Sequence, residues 1–182
     1  MQEIINNAFQ AYYSGNMSEA LRLFYTILAE DLNNSVNYYN VGLVYDAIGE
    51  LELAVSYYKK SIRLNNTNIR SINNLARIYI ENIKDYETAK IYLEQAIRFA
   101  PDDAEAYNLY GNLSMLNNDF DMAVNYFKKS IFLDEKYFKN YYDLAVANYA
   151  LNNIEEVRAN ANKSLELNPD FSKAKELLQQ MP

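Results

Sequence analysis

Apolar residues recur along this chain at the three- and four-residue spacing of amphipathic helices, in short segments separated by polar stretches. Helices of about a dozen residues are only marginally stable alone, and a single pair of them cannot bury its apolar face. The pattern therefore predicts helical hairpins that stack against their neighbours along the chain, with no β-strand.

The hairpins recur with a period of 34 residues, and the third repeat is one residue longer because of an insertion near Asn82. Two positions in each repeat, the eighth and the twentieth, hold Ala or Gly in nine cases of ten. Two helices approach closely only where neither carries a bulky side chain, so these positions are predicted helix crossings. They are Ala8, Gly42, Ala76, Gly111 and Ala145, followed by Ala20, Ala54, Ala89, Ala123 and Val157.

The turns and the bulky apolar positions agree with this register. Gly15 and Gly49 stand where a left-handed residue ends the first helix of a hairpin, and Asn118 and Asn152 are predicted to replace glycine there. Large side chains in the second helices are predicted to fill the space around the small residues. They are Phe24, Tyr58, Leu93 and Phe127.

This arrangement resembles the tetratricopeptide repeat family. The second repeat carries the resemblance most fully, through Tyr38, Tyr39, Asn40, Gly42, Tyr45, Gly49, Ala54 and Tyr58. The resemblance implies an all-α fold, a right-handed α-solenoid of five helix-turn-helix repeats and a C-terminal capping helix. The single array covers residues 1–182, with repeats at 1–34, 35–68, 69–103, 104–137 and 138–171 and the capping helix at 172–181.

Composition removes several kinds of chemistry. The chain has no Cys and no His, which excludes thiol nucleophiles and removes the commonest general base and metal ligand. Its net charge of −7 argues against binding nucleic acid or an anionic membrane surface. No stretch approaches the length of a membrane span and the start lacks a signal-peptide pattern, so we expect a cytoplasmic location and no membrane insertion.

Two short motifs that could carry chemistry have structural interpretations. Ser56 and Lys59 match the shortest form of a serine–lysine nucleophile motif, but this register places them on the outer face of a helix. The acids around Asp119 lack the Gly and the distal Glu of a calcium loop, so Asp119 is predicted to cap the next helix. We therefore expect no catalysis, no cofactor and no metal.

In the tetratricopeptide repeat family, the first helix of each repeat lines a concave groove that binds partners. Carried over position by position, the resemblance implies an aromatic N-terminal end of the groove and Arg and carboxamide side chains further along. Asn40 and Asn74 belong to a series spaced by 34 residues, which is either a peptide-binding feature or a framework feature. The predicted partner-binding residues are Phe9, Tyr12, Tyr13, Tyr39, Asn40, Leu43, Arg70, Asn73, Asn74, Arg77, Asn108, Asn112, Tyr142 and Tyr149.

The predicted function is a non-catalytic protein-interaction scaffold that binds a partner peptide or helix in this groove. The aromatic residues beside Arg70 and Arg77 favour a partner with bulky apolar side chains near one or two carboxylates. Two alternatives remain open at this point: a homo-oligomerising assembly module, and the regulatory arm of a larger enzyme or complex.

Overall fold

Eleven α-helices form most of the computed structural model, which describes residues 1–181, and this part of the chain contains no β-strand. A π-helical segment, Tyr79–Ile83, follows the fifth helix. In chain order, α1 to α11 span Gln2–Tyr13, Met17–Glu30, Ser35–Ala47, Leu51–Leu64, Ile69–Ile78, Tyr86–Phe99, Ala104–Leu116, Phe120–Leu133, Phe138–Ala150, Ile154–Leu167 and Ser172–Gln179. The prediction of an all-α helical-repeat fold of the solenoid class is confirmed.

Short polar side chains set where several helices begin. Asp119 accepts a hydrogen bond from the backbone N–H of Met122 at 3.2 Å, so its predicted role as the cap of α8 is confirmed. An oxygen at this position satisfies one of the N–H groups that have no partner inside the helix. The same contact is made at α2, α3, α5 and α7 by Asn16, Asn34, Asn68 and Asp103.

Left-handed residues end the first helices of the hairpins, as predicted for Gly15, Gly49, Asn118 and Asn152, whose φ angles are 81°, 84°, 60° and 59°. The third turn differs, because there the π-helical segment comes first and Lys84 takes the left-handed conformation with φ 60°. A π turn holds one residue more than an α turn. The extra residue of the third repeat is therefore accommodated in the segment Tyr79–Ile83.

The chain forms two compact units: unit 1 is Met1–Asp85, and unit 2 begins at Tyr86. Within each unit, every α-helix packs against the next α-helix in sequence. This nearest-neighbour packing is typical of repeat proteins. The exact repeat boundaries and the assignment of the whole chain to one array stay predictions.

The predicted small positions lie at the helix crossings. Each of the ten residues is buried, from Ala8 and Ala20 in the first hairpin to Ala145 and Val157 in the last. A Cβ added at Gly42 would lie 2.9 Å from the ring of Tyr58, and one added at Gly111 would overlap the ring of Phe127. These two glycines therefore allow an aromatic residue of the paired helix to fill the core.

Among residues 1–181, no helix combines the length and the apolar character needed to cross a lipid bilayer.

Candidate partner-binding surfaces

Unit 1 presents a set of aromatic side chains on α1. The ring of Phe9 lies edge-on against the buried ring of Phe24, with centroids 5.1 Å apart, and stacks on Tyr13 at 6.2 Å. Tyr12 contacts Tyr13 edge-on at 5.4 Å. Tyr13 is 79% exposed, whereas Phe9 and Tyr12 are half-buried. The core thus holds the inner rings in place while Tyr13 stays accessible.

The predicted residues of α3 are less accessible than Tyr13. Tyr39 and Leu43 are half-buried, and the ring of Tyr39 packs on that of Tyr58 with a centroid distance of 5.9 Å. We call Phe9, Tyr12, Tyr13, Tyr39 and Leu43 the aromatic surface.

A charged network adjoins the aromatic surface, and its central residue escaped the sequence prediction. Asp46 accepts a hydrogen bond from the Tyr58 hydroxyl at 3.2 Å and forms an ion pair with Arg77. Burial, and then the negative charge of Asp46, raise the pKa of Tyr12. Asp46 stands 34 residues after Tyr12, so the repeat period alone could have identified it as a candidate.

Arg77 has internal partners for its charge. Its guanidinium pairs with Asp46 and also with Glu81, at 3.3 Å. Burial by itself would lower the pKa of Arg77, but the charges of Asp46 and Glu81 outweigh that effect and raise it. Arg70, in contrast, is exposed and takes part in none of the ion pairs between described residues of unit 1. Of the two predicted cations, Arg70 is the one whose side chain is open to a ligand.

The predicted asparagines of unit 1 are mostly interior. Asn40 and Asn73 are buried, with 5% and 1% exposure, while Asn74 is half-buried. The side-chain oxygen of Asn73 is buried without a hydrogen-bond partner among the described residues. Asn74 has the largest share of its surface left for a ligand.

In unit 2, hydrogen bonds connect the predicted asparagines of α7 to side chains of α9. The side-chain NH₂ of Asn112 donates to the Asn108 carbonyl oxygen at 3.1 Å. The NH₂ of Asn108 donates in turn to Asn140, at 3.1 Å, and to the carboxylate of Asp143, at 2.8 Å. We call these four residues the amide–carboxylate chain. Asn140 and Asp143 were not predicted, although Asp143 continues the series of Asn40 and Asn74 two repeats later.

Asp143 is a carboxylate in an unfavourable environment. Burial raises its pKa, and the hydrogen bond from Asn108 and the charges of Lys139 and Lys173 oppose that rise only in part. A buried carboxylate disfavours its charged form unless a cation or enough donors compensate.

The two remaining predicted residues of unit 2 differ in exposure. Tyr142 is half-buried, and its ring meets Phe171 edge-on at 5.1 Å. Burial, followed by the charge of Asp143, raises the pKa of Tyr142. Tyr149 is 46% exposed, near the end of the same helix. The structure therefore brings Tyr142, but not Tyr149, next to the amide–carboxylate chain.

A shallow pocket of about 340 Å³ lies on the first hairpin, and none of the predicted site residues lines it. Its charged residues, Glu19 and Arg22, pair with each other at 2.7 Å, and nothing in its chemistry indicates a ligand. The pocket is lined by Asn7, Gln10, Ala11, Ser14, Glu19, Arg22 and Leu23.

The serine–lysine motif is a surface feature. Ser56 and Lys59 are both exposed, and the Lys59 amine donates to the hydroxyl of Tyr79 at 2.9 Å. An amine used in this way supports packing between α4 and the π-helical segment rather than activation of a serine.

Comparison with known proteins gives consistent matches. Tetratricopeptide repeat models match residues 47–113, 104–137 and 138–171. The photosystem I assembly protein Ycf3 of Rippkaea orientalis is 34% identical over 119 residues, covering 56% of this chain and 69% of that protein. Two further relatives, at 25% and 26% identity, are much longer, and the match spans 12% and 22% of their lengths.

Solved structures share the fold. TTC0263, a TPR protein of Thermus thermophilus, matches with a TM-score of 0.81 and 20% identity over 98% of this chain and 97% of that one. YrrB, a TPR protein with an unusual peptide-binding site, matches with a TM-score of 0.68 and 21% identity over 97% and 90%. The family models together extend from residue 47 to residue 171, and this chain belongs to the tetratricopeptide repeat family.

Proposed function

We propose that this chain is a non-catalytic scaffold that binds a peptide or helix of a partner protein through the first helices of its repeats. Membership of the tetratricopeptide repeat family supports a role in protein interaction. The name of the relative Ycf3, an assembly protein, and the peptide-binding site of YrrB agree with such a role.

The observation that carries the proposal is the aromatic surface of unit 1. Tyr13 is a large side chain left 79% exposed, and it stacks on Phe9, which the core holds in place. Rigid aromatic side chains gain much buried area on binding and lose little entropy, so they often dominate the affinity of interfaces. The aromatic surface therefore serves as the anchor for apolar side chains of the partner.

The charged residues of unit 1 indicate the rest of the partner's chemistry. Arg70 is exposed, and we propose that it attracts one or two carboxylates of the partner. Arg77 acts mainly within the protein, because Asp46 and Glu81 already compensate its charge. The proposed partner segment is apolar with acidic residues, and it docks as an amphipathic helix or an extended strand of peptide.

The proposal is tested by isolating the partner with the intact chain and measuring its affinity for variants. Tyr13→Ala should raise the dissociation constant by about tenfold at any salt concentration, since it removes an exposed anchor rather than a charge. Arg70→Ala should weaken binding mainly at low salt, because exposed charges are screened as ionic strength rises.

Phe132→Ala is the matched control, because Phe132 is a comparably exposed aromatic residue, at 80%, in unit 2. If Phe132→Ala abolishes binding while Tyr13→Ala and Arg70→Ala bind like the parent, the aromatic surface is not the site. Light scattering over a range of concentrations separates the homo-oligomer alternative, since self-association would raise the mass above 21.2 kDa without any partner.

A further inference from the structure

Unit 2 contains a partly buried carboxylate, that of Asp143, which forms no ion pair with any residue that the structure describes. Its hydrogen-bond partner in the structure is the amide of Asn108, at 2.8 Å. An ionised carboxylate offers about four acceptor positions, and one amide N–H fills only one of them. Most of the acceptor capacity of Asp143 is thus available to a further donor.

The surroundings hold this carboxylate in a fixed position. Asn112 donates to Asn108, and Asn108 donates both to Asn140 and to Asp143, so the donors all run toward the two residues of α9. Asn140 is buried, with 1% exposure, which anchors the branch point of the chain. The side chain of Asp143 is therefore oriented before any ligand arrives, which lowers the entropic cost of binding.

Asp46 in unit 1 shows what such a carboxylate accepts in this fold. There the carboxylate pairs with the guanidinium of Arg77 and accepts a hydrogen bond from the hydroxyl of Tyr58. Asp143 has a neutral amide in place of both. Lys139 and Lys173 are close enough to lower the pKa of Asp143 in part, but neither forms an ion pair with it among the described residues.

We infer that Asp143 binds an arginine side chain of the partner protein, with Asn108 as the residue that positions the carboxylate. A guanidinium suits the site better than an ammonium, because it is more weakly hydrated and presents several N–H donors in one plane to a carboxylate. The inference rests on the proposed function, since it names one group of the protein ligand. It adds a basic residue to the apolar and acidic residues of the partner that we propose bind unit 1.

The test uses three small probes with the intact chain: N-acetyl-arginine amide, N-acetyl-lysine amide and N-acetyl-citrulline amide, which has the shape of arginine without its charge. Nuclear magnetic resonance follows the side-chain NH₂ signals of Asn108 and Asn112 during titration. We expect a saturable shift with the arginine probe and binding at least about tenfold weaker with citrulline, the difference that a charge-assisted hydrogen bond confers.

Variants assign the effect to the carboxylate. Asp143→Asn should weaken the arginine probe by at least about tenfold, and Asn108→Ala by a smaller factor, because it leaves the charge but not its orientation. Asp170→Asn is the matched control, since it removes an exposed negative charge from the same unit and should leave binding unchanged. The backbone amide spectrum checks that each variant is folded.

Three outcomes overturn the inference: no saturable shift with the arginine probe, equal binding to the parent and to Asp143→Asn, or a lysine probe that binds as tightly as arginine. None of these depends on the aromatic surface of unit 1. If Tyr13→Ala still weakens partner binding while the arginine probe fails, the proposed function stands and only the assignment of Asp143 is wrong.

Discussion

The two units differ at one carboxylate and at one buried serine hydroxyl. In unit 1, Asp46 is compensated by Arg77, and the buried hydroxyl of Ser61 donates to the Ser35 carbonyl at 2.8 Å while accepting from Asn68 and Ser71. Among the described residues of unit 2, Asp143 forms no ion pair, and the buried hydroxyl of Ser164 has no hydrogen-bond partner.

The difference is informative because the positions correspond. Ser61, Ser130 and Ser164 occupy the same place in three repeats, and Ser130 also donates to a backbone carbonyl, that of Ala104, at 2.8 Å. The repeat therefore accounts for a serine at each of these positions but not for whether its hydroxyl is satisfied. Interior polar groups that lack internal partners are weak points for stability, and they are candidates for contact with a ligand.

The largest effect is expected from removing the cation that pairs with Asp46 in unit 1. Arg77→Ala leaves Asp46 and Glu81 without their cation and should lower the free energy of unfolding by roughly 2–3 kcal/mol. That value lies below the usual cost of breaking a buried pair, because the Arg77 side chain is 29% exposed. Urea denaturation measures it.

Arg70→Ala is the control for this variant, since Arg70 is exposed on the same helix and should change stability by less than about 0.5 kcal/mol. Adding Asp46→Asn to Arg77→Ala should recover part of the loss, because it removes the uncompensated charge. Equal stability of Arg77→Ala and the parent would show that the ion pair does not stabilise the fold. The difference in ion pairing between Asp46 and Asp143 would then have no effect on stability.

An intermediate effect, of opposite sign in the two units, is expected from one substitution at corresponding positions. Ser61→Ala removes a hydroxyl that donates one hydrogen bond and accepts two, so three polar partners lose a bond and the variant should be destabilised by about 1–2 kcal/mol. Ser164→Ala removes a buried hydroxyl that has no partner among the described residues and adds helix propensity, so it should stabilise by roughly 0.5–1 kcal/mol. Thermal denaturation of the two variants beside Ser130→Ala gives the full series. Destabilisation of similar size at all three positions would mean that Ser164 is satisfied in solution.

The smallest effect concerns the pH dependence of Asp143. Burial raises the pKa of Asp143. At pH values between the unfolded and the folded pKa, the folded protein therefore holds a proton that the unfolded chain has released. The stability that the protonated form contributes is fully present below the unfolded pKa and is lost as pH rises through the raised, folded value. The charges of Lys139 on α9 and Lys173 on α11 lower the folded pKa in part, so they narrow the pH range between the unfolded and folded pKa values.

Asp143→Asn should therefore be more stable than the parent at pH 7, by roughly 0.5–1 kcal/mol, and should lose this advantage in acid. Its amide oxygen can still accept from Asn108. Chemical denaturation at a series of pH values measures the difference, with Asp170→Asn as a control that should show no such trend. An advantage that persists unchanged below the unfolded pKa would point to packing rather than charge. A stabilising variant that also loses the arginine probe would fit a binding residue kept at a cost in stability.

Much of the candidate site could be predicted because it repeats. Tyr12, Tyr39 and Arg77 follow from the repeat register and the family resemblance, and Asp46 and Asp143 could have been found from the same register. The ion pair of Arg77 could not, because pairing joins side chains of different repeats and depends on their rotamers. The same holds for the donors of Asn108, which reach α9 from α7.

By itself, the sequence determined the helices, their turns and the small residues at their crossings. Helix propensity and left-handed turn residues act over a few positions, and the repeat period copies these local signals along the chain. The roles of Gly15, Asn118 and Ala145 could therefore be predicted from their sequence neighbours and the period. Only the tertiary structure decided which polar groups are compensated, because charge and hydrogen bonding depend on burial and on distances between helices far apart in sequence. That is why two carboxylates on equivalent first helices, Asp46 and Asp143, end in such different surroundings.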